Sequence, residues 1–255
     1  MKKYAEDYTI SEMMAAVCSL QINNDDVAFV GVGIPLMAGA VAAATHAPDV
    51  IIVYEGGGVG AKSRRMPWIF TDTATTENAL AATAMHRVFS DQQRGFITVG
   101  IIGGAEIDKY GNLNTTAIFG ENGSYHHPRV RLPGSGGAND IASSARRTVI
   151  VMRLEKGKFV NKVDFITSPG FLSGPGAREK AGLLGDGPCA VVTDRGLFKF
   201  DPETKEMYLE AIYPGMDVEQ IKELIDWDLK VSPDLYVMDP PTEEQITVMR
   251  TLDPM

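Results

Sequence analysis

Residues 27–60 read VAFVGVGIPLMAGAVAAATHAPDVIIVYEGGGVG, and this stretch decides the fold. Residues 27–32 form a short apolar run without alternation, which marks a strand covered on both faces, as in a parallel sheet. Gly33-Ile34-Pro35 then turns the chain, and Pro35 suits the first turn of a helix predicted over residues 36–45. Ala47-Pro48-Asp49 ends that helix, and residues 50–54 (VIIVY) read as a second buried strand. Strand, helix and strand with a short crossover make a βαβ unit, the signature of an α/β fold. Residues 27–48 lack Asp, Glu, Lys and Arg, but Gly31, Gly33, Pro35 and Gly39 interrupt them. A membrane-spanning helix would have to continue through Gly-Ile-Pro, so a strand, a turn and a buried helix are the expected reading.

Working outward, Thr9 with Glu12 three residues later opens an apolar-periodic run (Met13, Met14, Val17, Leu20), a capping-box start for a first helix. Downstream, the pattern predicts a helical region over residues 75–89 and a strand over 96–102. A hairpin is expected over residues 103–114, turning at Tyr110-Gly111-Asn112. Residues 119–140 read as a long loop, a length that usually marks function or mobility. A helix is expected from residue 141 and a buried strand over 148–154. Three meander strands are expected over 190–194, 197–201 and 207–213, a late helix over 218–226, and a Pro-rich tail wrapping the surface from Ser232. The expected architecture is an open, mostly parallel sheet with helices on both faces and a C-terminal β-meander. Residues 1–255 read as a single domain, with 190–255 a candidate small lobe.

Composition bounds the function. The chain has 255 residues, 44% hydrophobic and 22% charged, ordinary for a globular protein. Its formal charge of −9 removes the long-range attraction that nucleic acid binding needs. Cys18 and Cys189 stand far apart with no CxxC, which favours two free thiols over a disulfide or zinc site. The start MKKYAEDY has no apolar run behind its lysines, so no signal peptide is read and a cytoplasmic location is expected.

Glu55 is the first candidate for chemistry. It follows a buried strand, where sites of open α/β sheets gather, and Gly56-Gly57-Gly58 follows it. Glycines there would let a bulky substrate reach the carboxylate. With an ordinary pKa of about 4.3, such a group is ionised at neutral pH and can attack an activated carbonyl to form an anhydride. Gly134-Ser135-Gly136-Gly137-Ala138-Asn139, running into a helix, is the second candidate. Its backbone N–H groups would suit an anion or a developing oxyanion, although such a loop alone is also a plain turn. Gly31-Val32-Gly33 lacks the third glycine of a dinucleotide fingerprint. His126-His127 are adjacent and point apart in an extended segment, so no metal site is expected. Lys62, Arg64-Arg65 and Arg146-Arg147 are candidate phosphate contacts, with solvated surface the simpler reading. Glu121-Asn122-Gly123 reads as an acidic loop tip.

Taken together, these segments resemble the two-subunit class I CoA-transferases, specifically their B subunits of the glutaconate type. The resemblance runs in order through Gly31-Val32-Gly33-Ile34-Pro35, Glu55-Gly56-Gly57, Gly103-Gly104-Ala105-Glu106-Ile107-Asp108, Tyr110-Gly111-Asn112-Leu113-Asn114 and Gly136-Gly137-Ala138-Asn139. It continues through Thr167-Ser168-Pro169-Gly170, Gly174-Pro175-Gly176-Ala177-Arg178-Glu179 and Val192-Thr193-Asp194. It implies that Glu55 is acylated by an acyl-CoA and then carries CoA as a thioester. It implies Gly31, Gly33, Gly136, Gly137, Ala138 and Asn139 as the oxyanion and CoA-binding segment. Neither a tightly bound cofactor nor a metal is implied, the CoA thioester being a substrate. A companion A subunit is implied, in a heterodimer that pairs further into a heterotetramer or larger, as are an acyl-CoA donor and a dicarboxylic acceptor. Nucleic acid and membrane are not expected partners. Residues 61–95 match this pattern poorly. A CoA-thioester hydrolase, ring-opening enzyme or decarboxylase on the same scaffold remains open, as does a non-catalytic ligand-binding subunit.

Overall fold

The computed structural model describes residues 3–253. Helix α1 (Ile10–Ser19) opens with the expected capping box. The Glu12 N–H donates to Thr9 Oγ1 at 3.2 Å, and the Thr9 N–H donates to Glu12 Oε2 at 2.7 Å, so two donors left over at the helix start are satisfied. Strand β1 (Val27–Val30), helix α2 (Ile34–Ala44) and strand β2 (Ile51–Val53) form the βαβ unit, with Ala28 paired to Ile52 in parallel register. The chain continues through β3 (Gly58–Val59), β4 (Ala81–Ala82), α3 (Met85–Gln93), β5 (Val99–Ile102), α4 (Ala138–Ser144) and β6 (Arg147–Val151). Then come the one-turn helix α5 (Ala177–Lys180), β7 (Pro188–Val192), β8 (Gly196–Phe200), β9 (Met207–Ile212), α6 (Val218–Lys222), β10 (Lys230–Val237) and α7 (Glu243–Leu252).

All ten of these strands join one sheet in the order β10-β9-β8-β7-β6-β5-β1-β2-β3-β4. The middle five, β7-β6-β5-β1-β2, are parallel. Antiparallel strands extend the sheet on both sides. Side chains alternate between two cores, as the period of two requires. Ala28, Val30, Val99, Ile101 and Val149 face α1 and α2. Phe29, Ile102 and Ile150 face Val88 of α3 and Ile141 of α4 on the other side. Covering both faces explains why these strands read as continuous apolar runs. Among the described residues no helix is long and apolar enough to cross a membrane.

Three expectations are corrected. Residues 75–89 are not one helix. Thr73–Thr76 is a short 3-10 turn, Asn78 takes a positive φ of 52°, and Ala81–Ala82 is drawn into the sheet edge against Gly58–Val59 before α3 begins. Strand pairing here overrides the helical propensity of an alanine-rich stretch. The loop at 119–140 is shorter than expected, because Val130–Arg131 pairs with Ala117–Ile118 and α4 begins at Ala138. The tail is not a surface wrap. Residues 230–237 add β10 parallel to β9, with Pro233 tolerated because β10 is an edge strand, and α7 packs back on α1 and α2. The hairpin was legible: Glu106–Ile107 pairs with Leu113–Asn114. Cys18 and Cys189 are free thiols, and burial pushes both up in pKa.

Candidate active site

Strand parity places the candidate nucleophile. Ile52 and Tyr54 belong to the core under α1 and α2, and Val53 to the core under α3 and α4. Glu55, next in alternation, lies on the α3/α4 side at the carboxyl end of β2. There its Oε1 comes within 3.1 Å of where a Cβ on Gly137 would sit, beside the Phe89 ring. Glu55 is half-buried, and its carboxylate has no hydrogen-bond or ion-pair partner among the described residues. Burial alone therefore pushes its pKa above the ordinary carboxylate value. A partly desolvated carboxylate without donors is a stronger nucleophile than a solvated one, because attack need not strip away tight hydrogen bonds.

The backbone holds that side chain in a tight turn. The Gly57 N–H donates to the Tyr54 carbonyl at 2.9 Å, and the Tyr54 N–H donates to the Gly58 carbonyl at 2.9 Å. This turn corrects the expected role of the glycines. They do not clear a path for substrate, because the chain's own backbone fills the space. A Cβ on Gly57 would stand 1.8 Å from the Thr83 carbonyl oxygen, and one on Gly58 would stand 1.8 Å from that of Thr75. The excursion from 61 to 84 thus folds directly onto the turn that carries Glu55.

A cavity of about 470 Å³ opens beside Glu55 and is lined also by Gly31, Gly136, Gly137 and Ala138. Sequence reasoning picked those five residues, and the fold brings them together. Gly33 is not in that lining, although its neighbours Val32, Ile34 and Pro35 are; it caps α2 with φ 88° and lines an adjoining cavity with Thr9, Glu12 and Arg250. Asn139 lies in the first turn of α4, outside the Glu55 cavity lining, with its Oδ1 buried and unpartnered. The Ala138 N–H already donates to the Ser135 carbonyl at 3.0 Å, so it is not free for an oxyanion. The N–H groups of Gly136 and Gly137 make no backbone hydrogen bond among the described residues.

Sequence reasoning missed Arg153, which lines this cavity together with Ser135 of the second candidate loop and Gly103. Arg153 could have been found by the logic that found Glu55, since it too follows a buried strand. It is exposed and has no ion-pair partner among the described residues, so it brings a cation to a cavity that also holds the Glu55 carboxylate and the Ser135 hydroxyl. A separate apolar cavity of about 450 Å³ lies on the opposite face, between α2, α7 and residues 60–67. It holds neither Glu55 nor the glycine loop.

The remaining candidates fall to structural roles. Arg147 forms a bidentate pair with buried Asp26, and Arg64 and Arg65 pair with Glu77 and Asp72. Glu121, His126 and His127 are exposed and outside the Glu55 cavity, and no group of metal-binding residues occurs among the described residues. The buried polar residues of the hairpin staple it in place. The Asn112 Nδ2 donates to Asp108 at 2.9 Å, and its Oδ1 accepts from the Gly170 N–H at 2.9 Å. Asn114 Nδ2 donates to Glu106 at 2.7 Å.

The sequence model of the family described as "Coenzyme A transferase" matches residues 11–224. The chain is 39% identical to the B subunit of glutaconate CoA-transferase of Acidaminococcus fermentans, over 97% of this chain and 94% of that one. It is 36% identical to the B subunit of 3-oxoadipate CoA-transferase of Pseudomonas knackmussii, over 96% of this chain and 94% of that one. The crystal structure of glutaconate coenzyme A-transferase from A. fermentans superposes with a TM-score of 0.90 at 39% identity, covering 99% of this chain and 97% of that chain. The decarboxylase AibA/AibB superposes with a TM-score of 0.82 at 25% identity, covering 97% and 96%. With a family match across most of its length and two such relatives, this chain belongs to the coenzyme A transferase family, as a protein of the B-subunit type.

Proposed function

We propose that this chain is the glutamate-bearing subunit of an acyl-CoA:carboxylate CoA-transferase that acts on a dicarboxylic, glutaconate-like acid. The ionised Glu55 carboxylate attacks the thioester carbonyl of the donor, and CoA leaves as its thiolate. The resulting glutamyl–acyl anhydride is attacked at the glutamyl carbonyl by that thiolate, which releases the donor's acid and leaves a glutamyl-CoA thioester. The acceptor carboxylate attacks this thioester and re-forms an anhydride with loss of CoA thiolate. The thiolate then attacks the acceptor's acyl carbonyl and restores Glu55. Each intermediate is as activated as the thioester it replaces, so no nucleotide hydrolysis is needed. Water must be kept out, because the anhydride would hydrolyse.

In this reading the N–H groups of Gly136 and Gly137 serve the tetrahedral oxyanion, an interaction worth about 3 kcal/mol per donor in comparable sites. Arg153 receives an anionic group of the substrate. A companion A subunit completes the site, in a heterodimer that pairs further. The observation that most supports the proposal is the Glu55 carboxylate: half-buried, unpartnered and beside the glycine loop in a shared cavity.

Borohydride reduction of the assembled enzyme after treatment with acyl-CoA tests it, with modification expected at Glu55 alone. Label at any other residue overturns the assignment. Omitting the acceptor acid separates transfer from hydrolysis. A transferase stalls after releasing one equivalent of the donor's acid, with its CoA held as a thioester on Glu55, whereas a hydrolase keeps releasing CoA.

A further inference from the structure

Phe89 is half-buried beside the proposed nucleophile, yet it takes no part in the transfer steps. Its Cζ and Cε1 lie 2.5 and 2.9 Å from the position of a Cβ on Gly137, and Glu55 Oε1 lies 3.1 Å from that same point. The ring edge, the glycine and the carboxylate therefore meet at one place. The ring also packs on Phe29, which lines the Glu55 cavity, with centroids 5.8 Å apart.

Helix α3 carries the ring and is fastened to α4. Val88 and Gln92, four residues apart on α3, are both buried. Val88 joins the core, and Gln92 Nε2 donates to Ser144 Oγ at 3.0 Å. Ser144 Oγ donates in turn to the Asp140 carbonyl at 2.6 Å. Phe89 and the glycine loop that opens α4 are thus held together by buried bonds that do not involve Glu55.

The charged groups on the elements around Glu55 are Arg153 after β6, His86, Arg87, Asp91 and Arg94 at α3, and Asp140 on α4. Arg87 and Arg94 pair with Asp91, and none of these groups bonds to the Glu55 carboxylate among the described residues. Burial is what pushes that carboxylate up in pKa, and the Phe89 ring is one of the surfaces beside it. An aromatic edge carries slight positive charge but donates no strong hydrogen bond, so it dries the carboxylate without quenching it.

We infer that Phe89 is a positioning residue whose ring bars water from the Glu55 side chain and thereby commits the acylated glutamate to transfer. The inference rests on the acyl-glutamate reading above. The step it suppresses is hydrolysis of the glutamyl-CoA thioester. In that step the water oxygen bonds to the glutamyl carbonyl carbon and the C–S bond breaks. One water proton goes to the thiolate and the other to solvent, leaving free CoA and the Glu55 carboxylate. A ring-sized space opened beside a carboxylate is a polar space that admits water.

To test this, the assembled enzyme is treated with donor acyl-CoA without acceptor, freed of donor and released acid, and followed for CoA release. The thioester on Glu55 should lose CoA at least about ten-fold faster in Phe89→Ala than in wild type, and Phe89→Leu should restore most of the lifetime. A residue that only stabilises α3 would move the urea midpoint and not this lifetime. The second readout needs no substrate. In the full chain with glutamate labelled at the side-chain carboxyl carbon, the Glu55 resonance is identified by its loss in Glu55→Gln. It should titrate at lower pH in Phe89→Ala than in wild type. Phe89→Gln keeps a long side chain and good helix propensity, stands in should Phe89→Ala disturb folding, and should shift both readouts the same way. A wild-type thioester lifetime or an unmoved Glu55 titration in these variants overturns the inference. If the wild-type enzyme forms no thioester, the transfer reading fails, and the titration by itself decides the role of Phe89.

Discussion

Two carboxylates stand at opposite ends of the same parallel strands and are treated in opposite ways. Asp26, just before β1, is buried and fully bonded. Its Oδ1 accepts from Thr98 Oγ1 at 2.6 Å and Arg147 Nη1 at 2.9 Å, and its Oδ2 accepts from the Asn23 N–H at 2.6 Å and Arg147 Nη2 at 2.7 Å. Burial alone would raise its pKa, but the bonds from Arg147, Thr98 and Asn23 outweigh that and hold it below the ordinary value. Glu55, just after β2, receives no such bonds, and burial pushes it up. The amino end of the sheet spends its polar groups on stability by joining the starts of β1, β5 and β6. The carboxyl end leaves a half-buried carboxylate without a protein partner, and in the proposed reading that is the group that meets the substrate.

The largest expected effect breaks the carboxyl end. Glu55→Ala should lower the transfer rate by at least about a thousand-fold with the unfolding midpoint little changed, because the covalent route is gone. Steady-state assays of the assembled enzyme beside a urea titration check both halves. The mirror image breaks the amino end. Asp26→Ala leaves the half-buried Arg147 without its carboxylate partner and should cost about 3 kcal/mol of stability, while activity per folded molecule survives. A large loss of specific activity from Asp26→Ala, or of stability from Glu55→Ala, would erase the division of labour.

A sharper contrast comes from Gly137→Ala. Its Cβ would sit 2.5 Å from Phe89 Cζ and 3.1 Å from Glu55 Oε1, so the ring and the nucleophile must shift. Misplacement on that scale should lower kcat by about a hundred-fold, and Phe89→Leu in the same chain should restore part of it. Arg153→Ala should act on KM for the anionic substrate, raising it about ten-fold with kcat nearly unchanged, as for loss of one charged hydrogen bond.

The smallest effect is read in pH. Asp26 has a lower pKa folded than unfolded, so its stabilisation is complete above the unfolded value and is lost as pH falls through the folded one. For Glu55 the order is reversed. Its ionisation opposes folding, with the full penalty present above the folded pKa and absent below the unfolded one. Glu55→Gln should therefore raise the urea midpoint slightly at neutral pH and leave it unchanged in acid. Dependence of the opposite sign would mean that the carboxylate has a hidden partner.

Much of this was legible in the chain. The βαβ unit showed itself because strands buried on both faces must be apolar throughout, and Thr9 with Glu12 marked α1 because those side chains serve the helix start. Glu55 was legible because a charged residue directly after such a strand has to emerge at the sheet's carboxyl end. The excursion at 61–84 was not legible. Its short 3-10 turn and two-residue strand are held by backbone contacts with the glycines at 56–58, and contact between distant backbones leaves no periodicity. β10 escaped for a related reason: an edge strand can be polar and contain Pro233, so it carries no apolar signature.

By itself, then, the sequence determined the class of fold, the βαβ unit that ends at Glu55 and the residue type that can be acylated there. These follow from hydrophobic period, capping chemistry and turn residues, all of which act over a few positions. Only the tertiary structure decided that Gly136 and Gly137 line the cavity of that carboxylate while Gly33 lines the adjoining one, and that Arg153 shares the first. It also decided that the glycines after Glu55 receive the chain's own backbone rather than substrate. Those are relations between segments far apart in sequence. They are set by how layers pack, which no local pattern encodes.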